Sequence, residues 1–116
     1  METQVFGFDT ALHRLGGDLP LFQDLATYFL EDGPELLATI RSSIARGEVK
    51  AAYRAAHSLR SLIANFDAKD AMASAQSVEL LLAKSDLQKA QSALAHLESE
   101  VEPLCQALHS FTSRPQ

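Results

Sequence analysis

Residues 21–44 read LFQDLATYFLEDGPELLATIRSSI, and the placing of their apolar side chains decides the fold class. Leu21, Phe22, Leu25, Tyr28, Phe29, Leu36, Leu37, Ile40 and Ile44 recur at intervals of three and four residues, which gathers them on one side of a helix. The spacing predicts one long amphipathic helix. Gly33-Pro34 falls inside it; proline removes a backbone hydrogen bond and crowds the preceding turn, so a kink is expected there. Asp18 is a candidate N-cap, with Pro20 in the first turn where its missing N–H costs nothing. Arg46-Gly47 closes the helix with glycine in the usual position past its end.

The same punctuation divides the rest of the chain. A short first helix, about Asp9 to Leu15, carries Leu12 and Leu15 on one side and stops at Gly16-Gly17. A third, alanine-rich helix spans about Glu48 to Phe66, and a fourth about Ala68 to Lys84, with Met72, Ala75, Val78, Glu79 and Leu82 along it. Asp86 caps a fifth, which holds Leu87, Leu94, Leu97, Val101, Leu104 and Leu108 and a second expected kink at Pro103. Ser113 to Gln116 reads as a frayed tail. No segment alternates apolar and polar residues with the β-branched types of a strand. Four long helices with short connections therefore predict an all-α fold, an antiparallel up-down four-helix bundle with a short additional N-terminal helix. Phe22, Leu25, Phe29, Ile40, Tyr53, Leu59, Val78, Leu94 and Leu97 are expected in its core.

With 116 residues the chain is expected to form one domain, residues 1–116, ordered from about 8 to 112. A hydrophobic share of 47% is enough for one continuous core. A net charge of -5 and a pI near 5.2 argue against a general nucleic-acid binder, whose footprint would be a basic face, although a local basic patch can exist on an acidic protein. Cys105 is the only cysteine, so no intramolecular disulfide forms, and it falls on the apolar periodicity of the fifth helix as core packing. Met1 to Asp9 lacks a basic segment followed by an apolar run, and no apolar stretch approaches the roughly 20 residues of a membrane span. No secretory signal and no membrane association are expected, and the expected location is cytoplasmic.

Chemistry concentrates on the third helix. At about 100° per residue, Ala52, Tyr53, Ala56, Leu59 and Ile63 share one face, and His57 lies at the edge of that stripe. Arg46, Lys50, Arg54, Ser61 and Ala64 occupy neighbouring positions above and below it. Imidazoles titrate near about 6.5, so the neutral, nucleophilic form is abundant at cytoplasmic pH, and nearby cations disfavour protonation further. Lys50, Arg54 and Arg60 are placed to bind the oxygens of a phosphoryl group. Small residues at Ser61 and Ala64 leave room for another protein to approach. Ser61 itself is no rival nucleophile, because no carboxylate lies one turn away on the same helix to activate it.

The stretch Ala56-His57-Ser58-Leu59-Arg60-Ser61-Leu62-Ile63-Ala64-Asn65-Phe66-Asp67-Ala68 resembles the signature of histidine phosphotransfer domains, Ala-His-x-Leu-Lys-Gly followed by small residues, an apolar residue, Gly and Ala. The resemblance extends to Phe8-Asp9, the Gly-Gly-Asp turn, Phe29-Leu30-Glu31, Gly33-Pro34 and Val78-Glu79, and so covers nearly the whole chain. It implies a four-helix bundle that presents a phosphorylated histidine to receiver domains of response regulators and hybrid sensor histidine kinases. Position by position, it makes His57 the phospho-acceptor, with Arg60 in place of the family's lysine. Ser61 and Asp67 replace two glycines, and Leu62 and Ile63 replace small residues. The function implied is that of a phosphocarrier in a multistep two-component phosphorelay rather than a stand-alone enzyme. His57 takes a phosphoryl group from a receiver phospho-aspartate and passes it to another receiver. No cofactor is expected in this chain, Mg²⁺ being supplied by the receiver, and a monomer is expected. The receiver-binding surface is expected on the second and third helices around His57, partly apolar with a basic rim.

The alternative is a degenerate relative that docks on receivers or kinases, or inhibits them, without efficient transfer. The two glycine replacements motivate it. A helical structural subunit would explain the bundle but not the motif. The other histidines support no metal chemistry: His13 stands alone, and His96 and His109 are 13 residues apart, about 220° around a helix. There is no Glu-x-x-His for a di-metal bundle and no glycine-rich phosphate loop for ATP.

Overall fold

A computed structural model describes residues 8–112, and every regular element among them is helical. The elements are α1 (Phe8–Arg14), α2 (Leu19–Ala45), α3 (Val49–Ile63) with a 3₁₀ turn (Ala64–Phe66), α4 (Lys69–Ala83) and α5 (Leu87–Thr112). The expected tail after Thr112 lies outside the described residues. Helix ends follow the capping residues. Asp18 accepts a hydrogen bond from the Leu21 amide at 3.0 Å, and Asp86 accepts one from the Lys89 amide at 3.1 Å. Past the end of α2, Gly47 takes φ +72, and the Glu48 amide donates to the Ser43 carbonyl at 2.8 Å. The glycine permits a left-handed residue there, and the chain turns back at once into α3.

Helix α2 runs unbroken through Gly33-Pro34. Gly33 is buried against Phe29, whose ring lies 3.4 Å from where a Cβ would stand, an ordinary contact distance for a methyl group. Helix α2 packs on α3 and α5, and α4 packs on the same two, so the four long helices close a ring around one core. Phe22, Phe29, Ile40, Leu59, Val78, Leu94 and Leu97 are all buried in that core, with Leu25 partly buried against it.

Tyr53 corrects the expected core. It is 36% exposed, while Ala52, Ala55, Ala56, Leu59 and Ile63 fill the inner face of α3. Periodicity placed Tyr53 with the apolar group, but the inner face is lined by alanines that bring the neighbouring helices close. A phenol is displaced to the edge, where its hydroxyl keeps water.

One end of the bundle is aromatic. Phe22 meets Phe66 at 5.7 Å and Phe111 at 5.1 Å between ring centroids, Phe29 meets Phe66 at 5.5 Å, and Phe8 joins them from α1. A helix of seven residues is marginal alone. Here Phe8 and the buried Ala11 hold its inner side, and Arg14 ties its end to the bundle by donating to Asp67 Oδ1 at 2.7 Å. Asp67 itself sits at φ 52, ψ 32, the left-handed conformation that a helix-ending glycine would adopt. Cys105 is partly buried beside the core. Burial, with a smaller push from Glu102, raises its thiol to about 11, so it stays protonated and packs as an apolar side chain.

Candidate functional site

His57 lies just past the middle of α3, where the buried stripe gives way to solvent, and its side chain is 53% exposed. Leu59 on the inner face is fully buried, so the backbone beneath the imidazole is fixed by the core. The ring is nearly parallel to that of Tyr53, one turn earlier, with centroids 6.3 Å apart and 16° between planes.

The group that touches His57 comes from the adjacent helix. Glu79 on α4 is 13% exposed and places Oε2 2.7 Å from His57 Nδ1, while its Oε1 accepts from Arg60 Nε. Arg60 Nη2 lies 3.3 Å from the same Nδ1. Burial pushes the Glu79 carboxyl up, but hydrogen bonds from Arg60 and His57 and the positive charge of Arg60 outweigh it and hold the carboxyl below its ordinary range. Glu79 in turn raises the Arg60 guanidinium, first through the hydrogen bond and then through its charge. An ionised Glu79 has only acceptors to offer, so the proton at this contact belongs to the imidazole: Nδ1–H donates to Oε2. The lone pair is then on Nε2, which makes no hydrogen bond to any described residue.

The other residues expected at the site are distributed differently. Ser61 is exposed, one turn past His57, and its Oγ donates to the His57 carbonyl at 3.1 Å, the local bond that a helical serine makes to the preceding turn. Lys50 and Arg54 are exposed on the first half of α3, and neither bonds to His57. Arg60 is brought to the imidazole, though by way of Glu79. The ring of cations expected from α3 is thus replaced at Nδ1 by a carboxylate from α4. Its signal in the sequence was a glutamate interrupting the apolar spacing of the fourth helix next to Val78.

Between α2 and α3 a cleft of about 500 Å³ opens beside the imidazole, lined by Leu36, Leu62, Tyr28, Asp32, Glu35 and Ser61 among others. Its charged lining is acidic, which corrects the expected basic rim on this side. Periodicity along α3 could not show which residues of α2 would face the histidine. Among the described residues no group of three or more His, Cys, Asp or Glu side chains converges to hold a metal ion, and no helix is long and apolar enough to cross a membrane.

Comparison with known proteins gives the family. A family model for the Hpt domain matches residues 24–109, which include α3, α4 and most of α2 and α5. No curated protein and no solved structure matches the chain. Hpt domains are helical bundles that act in phosphorelays as phosphocarriers, working with receiver domains and kinases. The matched span holds His57, Arg60 and Glu79 together, and the chain belongs to the Hpt domain family.

Proposed function

We propose that this chain is a phosphorelay intermediate in which His57 accepts a phosphoryl group from a receiver-domain phospho-aspartate and passes it to a second receiver. The observation that carries this reading is the hydrogen bond between His57 Nδ1 and the ionised Glu79, on an imidazole that is half exposed beside an open cleft. Nε2 attacks the phosphorus. The Nε2–P bond forms as the bond from phosphorus to the aspartate oxygen breaks, and the electron pair leaves on the aspartate carboxylate. The ring gains positive charge as this happens, and Glu79, already placed at Nδ1–H, stabilises that charge without moving. Arg60 keeps Glu79 ionised and aimed; Lys50, Arg54 and Ser61 are supporting positions around the docking face. In return transfer the same steps run backwards, so the chain is regenerated as a carrier and is not a stand-alone enzyme.

The up-down-up-down course of the four long helices belongs to the same proposal. It is supported by the antiparallel pairing of α2 with α5, where Gln23 donates to the Phe111 carbonyl at one end and Arg41 pairs with Glu98 further along. Mg²⁺ is assigned to the receiver, and the chain is taken to act as a cytoplasmic monomer without nucleic acid. The second reading, a docking or inhibitory module that binds receivers without efficient transfer, is favoured by one feature: the Ser61 side chain stands in the cleft beside the acceptor. Incubating the protein with phosphorylated receiver domains and following label onto His57 separates the two.

A further inference from the structure

The exposed face around His57 carries charge of both signs, sorted along the bundle. Asp32 and Glu35 are three residues apart, so they share one side of α2. Both line the cleft that His57 and Ser61 border from α3. Neither forms an ion pair or hydrogen bond with any described residue. Lys50 and Arg54 stand seven and three residues before His57, about 10 and 5 Å back along α3 and within about 60° of its direction. Both are exposed and equally unpaired among the described residues. One pole is therefore acidic and beside the acceptor; the other is basic and further down the same face.

Open carboxylates beside a phospho-acceptor oppose its chemistry, because the arriving phosphoryl group is itself anionic and like charges repel. A cation brought by the donor protein removes that opposition and gains a pairing. Tyr28, 51% exposed at the same cleft, supplies a rigid, amphipathic anchor of the kind that carries binding energy at interfaces. Resting on the reading of His57 as an acceptor for receiver domains, we propose that these two poles select the partner and fix its orientation. The receiver that fits sets a cationic side chain against Asp32 and Glu35, an acidic edge against Lys50 and Arg54, and apolar surface over Tyr28. A receiver with an acidic residue facing Asp32 and Glu35 is rejected. Charges at such a rim act mainly on the rate of association and on the exclusion of wrong partners.

The test uses a panel of phosphorylated receiver domains, measuring association with the full chain by stopped-flow fluorescence and label transfer to His57 separately. For receivers that bind the wild type, Asp32→Lys with Glu35→Lys should slow association at low salt by tenfold or more, and Lys50→Glu with Arg54→Glu should do the same. Both losses should shrink as salt screens the charges. The milder pair Asp32→Asn with Glu35→Gln guards against misfolding and should give a smaller loss of the same sign. It should also label faster with phosphoramidate, a small anionic donor with no protein surface, because only repulsion has been removed there. Association that is indifferent to both reversals, or neutralisation that speeds receiver and phosphoramidate alike, would overturn the proposal. Transfer at charge-independent rates leaves His57 as acceptor and removes the docking code. Charge-dependent binding without transfer keeps the code and removes the phosphorelay reading; a panel in which no receiver binds contradicts both.

Discussion

His57 on α3 and Glu79 on α4 meet at 2.7 Å between Nδ1 and Oε2, and this pairing across two helices assigns the two ring nitrogens their separate tasks. Nδ1 keeps the proton and faces the carboxylate; Nε2 keeps the lone pair. Arg60 completes the set by donating to the other oxygen of Glu79, so the orientation of the imidazole depends on contacts made by a neighbouring helix.

The first prediction follows from that contact. In wild type, ¹⁵N chemical shifts of the neutral His57 ring should report the tautomer protonated on Nδ1. Glu79→Ala should shift the ring toward a mixture of tautomers and slow phosphoryl uptake. A charge-assisted hydrogen bond contributes about 1.5–3 kcal/mol, which corresponds to a slowing on the order of ten- to a hundredfold. An unchanged tautomer in Glu79→Ala would contradict the assignment.

A second prediction concerns acid. The Glu79 carboxyl is held below its ordinary range in the fold, so its contribution to stability is present in full above the usual carboxylate pKa of about 4.3 and is lost as pH falls through the lowered value. Glu79→Gln should therefore be less stable than wild type at pH 7, on the order of 1 kcal/mol, and the gap should close toward pH 3. Urea unfolding at the two pH values measures it; a gap that widens in acid has the wrong sign.

Asp67 supports a third prediction. It holds a left-handed backbone at φ 52 and accepts from Arg14 at 2.7 Å. Asp67→Gly relieves the backbone and loses an exposed ion pair that contributes about 0–1 kcal/mol, so the two effects nearly cancel. Asp67→Ala loses the pair and keeps a side chain at positive φ, which costs roughly 1–2 kcal/mol. Thermal melts should rank glycine above alanine; equal melting temperatures would show that the turn is not strained.

How much of this was legible in the residues follows from where each contact lies. Caps and breaks are local, so Asp18, Gly47 and Asp86 marked helix ends that the structure reproduces to within a few residues. His57 was legible because its motif is contiguous. Glu79 was visible as part of the resemblance and as a glutamate within an apolar spacing, but its contact with the imidazole was not, because it comes from another helix 22 residues on, and periodicity within one helix says nothing of the side chain that faces it from the next. The same limit hid Asp32 and Glu35 behind their own helix. Tyr53 shows a different limit, since a residue at the margin of an apolar stripe satisfies the spacing whether it packs inward or, as here, lies 36% exposed against the imidazole.

The central claim is that the imidazole of His57 is the acceptor. The measurement that meets it most directly is transfer of radiolabelled phosphate from phosphorylated receiver domains to wild type and to His57→Gln, with acid lability of the bound label and the melting temperature of each protein recorded. Wild type should take up label that is lost in mild acid and kept in base, as for a phosphoramidate. His57→Gln should take up none while melting within a few degrees of wild type, because a half-exposed side chain contributes little to the core. Label on His57→Gln, or a wild type that no receiver in the panel can phosphorylate, would contradict the account.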